Sequence, residues 1–412
     1  MNPSFIPAES VGELHRGPLG RYVEPYVAQV TRLGYKPESI RRQVRLMVAL
    51  NGLLVQTGRD ARDVDSELVA RFLQRRRRGR AGRRGARATL RRLLALLRAS
   101  GVIARRPCVE RSGPPATVVK AYREYLLQER GLAAHTVYVY TQWVERFLAW
   151  RFGRGPVRVR RLRGRDLTRF VQTRVHSPGG GDIGHLVTAL RAFGRFLHAS
   201  GRLARDLSTA IPAVARWSLA PVPEYLPSAT LERVLACCDR RTPGGRRDYA
   251  ILLLLARLGL RGGEVVRLEL EDFDWDNGRL TIRASKNGQA ACLPLPADVG
   301  TALAEYLRRD RPAGDSRRVF LRLPAPHTGF ASTAAISNVA GRALDRTGVT
   351  LGRQGAHVFR HSLATTMLGR GASLPQIAQI LRHRSLKSTA LYAKVELEAL
   401  RGIALPWPGG AP

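Results

Sequence analysis

Apolar residues recur three or four positions apart through most of this chain, which is the spacing of one buried helix face. In the first hundred residues the two clearest stripes are Tyr26, Val30, Leu33 and Val44, Leu46, Met47, Leu50, Leu54. Asp63-Val64-Asp65-Ser66 then supplies N-cap chemistry for a helix through Leu68 and Phe72. A further helix is predicted from Thr89 to Ala99, ended by Gly101.

A strongly basic run interrupts this pattern before Thr89. Such a run is usually a solvated loop, and it is equally the composition of a loop that contacts phosphates. The candidate phosphate ligands in it are Arg75, Arg76, Arg77, Arg78, Arg80, Arg83 and Arg84.

Short sequence matches repeat about one hundred residues apart. Leu90-Arg91 returns as Leu190-Arg191, and Arg71-Phe72 returns as Arg169-Phe170. These matches predict one helical module present twice. The competing interpretation is that helices rich in Arg and Leu look alike by chance.

Proline-rich stretches mark the joints between the predicted modules. One lies in residues 105–115 and another in residues 211–227. Proline disfavours helix in the residue before it, so both stretches are typical of extended linkers. The predicted domains are residues 1–110, residues 111–215, a linker at residues 216–227, and residues 228–412.

The last predicted domain contains the chain's strand pattern. Leu280–Ala284 and Ala290–Leu295 alternate in strand fashion, and Asn287-Gly288 between them favours a hairpin turn that would carry Lys286. The predicted fold is therefore mainly α, with two helical modules followed by a domain that holds a small antiparallel sheet.

The net charge of the chain indicates what kind of molecule it binds. The chain has 69 Lys and Arg against 32 Asp and Glu, a formal net charge of +37. A proteome bias toward arginine explains the choice of Arg over Lys, but it does not explain the excess over acids. The excess favours binding of a polyanion, and of nucleic acid in particular.

The cysteines, the N-terminal sequence and the length of the apolar runs indicate the cellular compartment. The four cysteines, Cys108, Cys237, Cys238 and Cys292, have neither zinc-ligand nor disulfide-framework spacing, which fits a reducing cytoplasm. The N-terminus lacks a signal-peptide pattern, and no apolar run is long enough to span a membrane. A cytoplasmic, nucleoid-associated protein is expected.

Candidate chemistry gathers near the C-terminus. His357-Val-Phe-Arg360-His361 opens a helical pattern, Leu381-Arg382-His383 follows the next one, and Tyr392 comes nine residues later. His357 and Arg360 are three apart and share a helix face, so they can converge on one small anion. Roughly a hundred residues upstream lies Gly259-Leu260-Arg261-Gly262-Gly263-Glu264.

These elements, in this order and spacing, resemble the tyrosine recombinases of the phage-integrase type. The resemblance implies a catalytic set with Tyr392 as the nucleophile, and Glu264 and His361 in support. It also implies that residues 111–215 are the core-binding, SAM-like domain. This sequence departs from the family at Arg382, where the family usually has Gly. The other implied catalytic residues are Arg261, Lys286, His357, Arg360 and His383.

The implied reaction is cleavage and rejoining of double-stranded DNA through a 3′-phosphotyrosine, with strand exchange in integration, excision or transposition of a mobile element. Two planar arginine forks can bind phosphate oxygens, so no metal or cofactor is expected. Asp272-x-Asp274-x-Asp276 lacks the Gly and Glu of a calcium loop, and His357 with His361 lacks the Glu of a zinc protease.

The resemblance further implies four protomers on two duplexes, with sister recombinases as an option. The apolar stripe of residues 393–404 then either docks on a neighbour or packs on its own domain. Two rival functions remain open. One is a type IB topoisomerase, which shares the active-site chemistry, and the other is a non-catalytic, basic DNA-architectural protein.

Overall fold

The computed structural model describes residues 17–75, 80–103, 114–153, 155–175, 183–211, 223–283, 290–352, 354–383, 385 and 388–392, with residues 80–84 and 114–116 described by their helical backbone. The described chain is mainly α-helical, with one small antiparallel sheet in its last part, as the sequence predicts.

The first module is a four-helix unit. A 3₁₀ turn at Gly20–Tyr22 precedes its first helix, and another at Ala61–Asp63 separates its two helix pairs. The side chains of the four helices and of these turns form one apolar core, drawn from residues 19–103. The helices are α1 Val23–Arg32, α2 Pro37–Gln56, α3 Ser66–Arg75 and α4 Arg80–Ala99.

Helix α3 begins where the sequence predicts, because the Asp65 carboxylate accepts the Leu68 N–H at 2.6 Å. Helix α4, by contrast, begins nine residues before Thr89. The basic stretch from Arg80 onward is therefore helix, and its interpretation as a loop is wrong there. Arginine is a good helix former, and the buried face of α4 already starts at Ala86. Arg76, Arg77 and Arg78 lie outside the described residues.

The second module repeats this element order. A 3₁₀ turn at Val159–Arg161 again separates two helix pairs, and the side chains form a separate apolar core. The helices are α5 Pro114–Gln128, α6 Ala134–Phe152, α7 Gly164–Val175 and α8 Ile183–Ala199.

Details inside the two modules also correspond. The buried Tyr26 hydroxyl lies 3.5 Å from the Thr89 carbonyl on α4, and Tyr122 donates to the Ala189 carbonyl on α8 at 3.0 Å. Gly101 and Gly201 end the last helix of each module with φ near +69° and +67°. Only glycine adopts that conformation without strain, which is why both helices stop there. These correspondences support the predicted duplication.

The third part surrounds helix α10, whose residues from Ala250 to Ala256 are all buried. Its helices are α9 Ser228–Ala236, α10 Pro243–Arg257, α11 Gly262–Arg267, α12 Ala297–Arg309, α13 Ala334–Arg346, α14 Ala356–Gly369 and α15 Leu374–Ile380. Helix α10 packs against α12, α13 and α14 in one core.

The sheet has the strand order β1-β2-β3, all antiparallel. Its strands are β1 Phe273–Asp274, β2 Arg279–Ile282 and β3 Ala291–Pro294. Strands β2 and β3 are the predicted hairpin, with Leu280 opposite Leu293, whereas β1 was not predicted. The turn that joins β2 to β3, with Lys286, lies outside the described residues.

Residues 106–220 form one compact unit, and residues 1–105 together with residues 221–412 form the other. The division into residues 1–110, 111–215 and 228–412 stays a prediction, and so does the placement of the tail after Tyr392, which is not described. In the described part of the chain, no helix is long and apolar enough to cross a membrane.

Candidate active site

The turn between α10 and α11 brings the first candidate arginine into the site. Gly259 has φ +56°, and a Cβ there would lie 2.7 Å from the Leu381 side chain and 3.0 Å from the Leu363 side chain. Two features therefore favour glycine here, namely the backbone conformation and the close approach of the two leucine side chains. Arg261 follows two residues later and stands at the N-terminus of α11.

Arg261 is held by Glu264 in the first turn of the same helix. The Glu264 carboxylate accepts the Arg261 N–H at 2.8 Å and its Nη1 at 2.9 Å. Only 3% of the Glu264 side chain is exposed, against 30% for Arg261. Burial opposes ionisation of Glu264, but the Arg261 N–H and the charge of Arg382 outweigh it and lower its pKa. Glu264 is thus ionised, and part of the Arg261 side chain stays exposed.

Arg360 lies on α14 and is buried. Its Nη1 donates to the Gly259 carbonyl and its Nη2 to the Leu381 carbonyl. Arg261 Nη2 meanwhile donates to the Arg382 carbonyl at 3.0 Å. The two arginines therefore hold consecutive carbonyls of the turn that leads to His383. Burial lowers the pKa of Arg360 to about 9, which leaves it charged at neutral pH.

Tyr392 packs into the apolar cluster formed by α14 and α15 and is 1% exposed. Its hydroxyl oxygen is hydrogen-bonded to Nδ1 of His361 at 2.8 Å. Burial raises the pKa of Tyr392, while the charges of Arg360 and Arg261 act in the opposite direction. Burial lowers the pKa of His361 to about 4, so its ring is neutral at pH 7.

The other two histidines of the predicted set, His357 and His383, lie beside the pair of His361 and Tyr392. The His383 ring lies nearly parallel to the Tyr392 ring, 6.4 Å away, and its Nδ1 is 2.7 Å from the hydroxyl of the fully buried Thr389. The His357 ring meets the His361 ring edge-on at 5.8 Å. Burial lowers the pKa of His383 to about 4 as well.

The structure thus brings most of the predicted set together from α11, α14, the turn after α15 and the segment before Tyr392. Lys286 lies outside the described residues and stays a prediction. Arg75 is described and exposed, while the side chains of Arg80, Arg83 and Arg84 are not described.

Sequence reasoning missed three features of the site. Thr389 was not noticed, because a threonine in a loop carries no signal of its own. Arg382 was noted only as a departure from the family, and the contact between His361 and Tyr392 was not foreseen. Within the described residues, no group of three or more His, Cys, Asp or Glu side chains is placed to hold a metal ion.

Comparison with known proteins matches these regions. The profile of the phage integrase family matches residues 224–398, and that of the phage integrase N-terminal SAM-like domain matches residues 119–201. A putative integrase/recombinase of Sinorhizobium fredii, y4rA, is 42% identical over 398 residues, covering 96% of both chains. The chain belongs to the tyrosine recombinase family.

A more distant relative within the tyrosine recombinase family is shorter than this chain. Tyrosine recombinase XerC of Oceanobacillus iheyensis is 26% identical over 292 residues, which are 69% of this chain and 93% of XerC. The match to y4rA, in contrast, extends over nearly the whole chain and therefore includes the first module.

Solved structures agree on the fold of this recombinase. The XerH site-specific recombinase bound to its palindromic difH substrate has a TM-score of 0.53 at 17% identity, covering 70% of this chain and 96% of XerH. A lambda integrase dimer bound to a core site has a TM-score of 0.52 at 16% identity, covering 71% and 98%.

Proposed function

We propose that this recombinase cleaves double-stranded DNA by attack of Tyr392 on a phosphodiester and rejoins the strand to a new end. The observation that carries the proposal is the 2.8 Å hydrogen bond between the Tyr392 hydroxyl and His361, beside two arginines held on one turn. A phenol next to a neutral imidazole has a place for its proton, and the arginines supply charge for a phosphate.

In the cleavage step the bond from Tyr392 Oη to phosphorus forms and the bond from phosphorus to the 5′ oxygen breaks. His361 Nδ1 takes the phenol proton, and a general acid protonates the leaving oxygen to give a free 5′-hydroxyl. By the family resemblance Lys286 is that acid. The 3′-phosphotyrosine retains the bond energy, so a second 5′-hydroxyl reverses the step without ATP.

The pKa values of Tyr392 and His361 argue against formation of a Tyr392 phenolate before DNA binds. Burial raises the pKa of Tyr392 above its ordinary value and lowers that of His361 to about 4, so the two pKa values lie far apart. Proton transfer is therefore strongly unfavourable in the free protein. It becomes favourable as the phenol oxygen bonds to phosphorus, since the phenol then becomes far more acidic. Attack and proton transfer are expected in one step.

Arg261 and Arg360 are the proposed ligands of the non-bridging phosphate oxygens, where charge grows during attack. Both are anchored by backbone carbonyls, so little reorganisation is needed when the phosphate arrives. His357 and His383 are proposed to donate further hydrogen bonds to the same phosphate. No metal ion and no cofactor is assigned a part.

Strand exchange needs two duplexes, so we propose a homotetramer on paired sites, with a sister recombinase as a variant of that arrangement. Insertion or excision of a mobile element is the proposed use. The support is the 42% identity to y4rA of Sinorhizobium fredii, a putative integrase/recombinase.

A covalent-capture experiment tests the proposal without knowledge of the target. The full chain is incubated with a pool of nicked duplexes whose core is randomised, and species that survive denaturing detergent are isolated and sequenced. Protein-linked DNA with a common sequence and a tyrosine linkage is expected. Absence of any adduct would leave a non-catalytic DNA-binding protein. Relaxation of plasmids without a common site would favour a topoisomerase.

A further inference from the structure

Arg382 has an unusual backbone conformation. Its φ is +54°, and it is the only non-glycine residue with positive φ among the residues described. This left-handed region favours glycine, because a side chain there crowds the backbone. A side chain at this position therefore needs contacts that hold it.

The side chain of Arg382 makes such contacts inside the site. Its Nη2 donates to the Glu264 carboxylate at 3.0 Å, and its Nη1 donates to the Ile380 carbonyl at 3.2 Å. The Arg382 side chain is only 10% exposed, and the Glu264 side chain only 3%. Its own carbonyl accepts Arg261 Nη2 at 3.0 Å. Arg382 thus contacts Arg261 directly through its backbone and indirectly through Glu264.

The charges explain what the contact with Glu264 changes. Glu264 is ionised and receives two guanidinium groups, one from Arg261 and one from Arg382. The three side chains together carry one positive charge, and Arg360 adds a second. Without Arg382, Glu264 would cancel the charge of Arg261 and hold its guanidinium more tightly. A phosphate would then meet one net positive charge in place of two.

We propose that Arg382 is a positioning residue that keeps Arg261 available to the scissile phosphate. Its guanidinium and that of Arg261 both bind the Glu264 carboxylate. Its backbone carbonyl, placed by the left-handed conformation, accepts a hydrogen bond from Arg261 Nη2 and so fixes that nitrogen. The proposal rests on the proposed cleavage reaction and names a residue for which the family resemblance predicts glycine. It requires that the reaction of an anionic phosphate depends on Arg382 more than that of a neutral analogue does.

The test compares four proteins on a suicide duplex recovered by the covalent capture above. Arg382→Gly removes the charge but suits the backbone. Arg382→Lys retains the charge, and Arg308→Ala removes an exposed arginine of α12 as a control for net charge. Thermal unfolding verifies the fold of each. We expect Arg382→Gly to slow single-turnover adduct formation by roughly 10- to 100-fold, because a small misplacement of a catalytic group costs up to about 10²-fold. Arg382→Lys should recover part of the rate, and Arg308→Ala should match the wild type.

The decisive comparison uses a duplex with a neutral methylphosphonate at the scissile position. The loss caused by Arg382→Gly should be at least several-fold smaller on this substrate, because less charge must be neutralised. Equal losses on both substrates would mean a merely structural role and would overturn the proposal. A wild-type rate for Arg382→Gly on the phosphodiester would overturn it too.

A double variant keeps the proposal falsifiable if Arg382→Gly is poorly folded. In Arg382→Gly with Glu264→Gln, the carboxylate that competes for Arg261 is gone, so adduct formation should exceed that of Arg382→Gly alone. No recovery in a folded double variant would count against the proposal. If the wild type forms adducts and the Arg382 variants form them at the same rate, this inference alone is rejected. No adducts from the wild type would reject the proposed function and this inference with it.

Discussion

The Nδ1 atom of His361 lies 2.8 Å from the hydroxyl oxygen of Tyr392, although the two residues are 31 positions apart. The family resemblance implies only a supporting part for His361. The contact forms because the segment before Tyr392 folds back onto α14, where His361 directly follows Arg360. It makes His361 the first candidate to receive the phenol proton.

Replacing Tyr392 by Phe should abolish covalent attachment and leave DNA binding close to that of the wild type. Phenylalanine retains the ring that fills the cluster of α14 and α15, so the loss of stability should be about 1 kcal/mol, that of one hydrogen bond. A denaturing gel of the variant with the suicide duplex reports attachment, and a mobility shift reports binding. A protein-DNA adduct of wild-type intensity from this variant would refute the assignment of the nucleophile.

Replacing His361 should separate its role as a base from its role as a contact. In His361→Asn the side-chain oxygen can still accept the Tyr392 hydroxyl, but it is not basic, whereas His361→Ala loses both. We expect adduct formation to slow by roughly 10²- to 10⁴-fold in both variants, the usual loss for a general base. If His361→Asn keeps the wild-type single-turnover rate, the hydrogen bond only positions the tyrosine.

The same histidine should make stability depend on pH in a defined direction. Burial lowers its pKa from 6.5 in an unfolded chain to about 4 in the folded protein. Between these values the unfolded chain binds the proton and the folded protein does not. The contribution to stability is therefore complete above about pH 6.5 and is lost as pH falls toward 4. The difference in melting temperature between wild type and His361→Asn should shift against the wild type from about pH 7 to about pH 5. A difference that is constant with pH would contradict the burial of a neutral imidazole.

The sequence could predict the catalytic elements because their residues follow fixed spacings along single segments, such as His357 to His361. It could also predict the hairpin, since alternation and an Asn-Gly turn are local signals. Contacts between segments were not predictable. Arg382 donates to Glu264 across 118 positions, and Arg360 reaches Gly259 across 101, which no periodicity encodes. The start of α4 was not predictable for a different reason, because its first turns contain only Arg, Ala and Gly and lack a stripe of large apolar residues.

Cleavage should proceed in excess EDTA. Arg261 and Arg360 are charged groups held on backbone carbonyls, and they can neutralise a phosphate without a divalent ion. Adduct yield with the suicide duplex should be equal with EDTA and with added magnesium. Loss of the adduct on chelation, with recovery on addition of magnesium or manganese, would show that the proposed mechanism is incomplete.

The first module should bind DNA, although the SAM-like match covers only the second module. Its element order, its Tyr26 contact and its terminal Gly101 all repeat in the second module. In the described part its exposed arginines include Arg71 and Arg75 on α3 and Arg87 and Arg91 on α4. Arginines of this kind mostly contact phosphates, which position a protein without reading bases.

Deletion of residues 1–110 should therefore shorten the DNA footprint and flatten the salt dependence of binding. Each lost phosphate contact should reduce the slope of log K against log salt by roughly 0.9. Covalent attachment to a short core duplex should survive, because the module has its own apolar core and every catalytic candidate lies beyond Ser228. As a matched control, glutamine at Arg71, Arg75, Arg87 and Arg91 should reduce the slope while the module stays folded. A deletion variant with unchanged footprint and slope that still fails to complete recombination would identify the module as a protein-binding one.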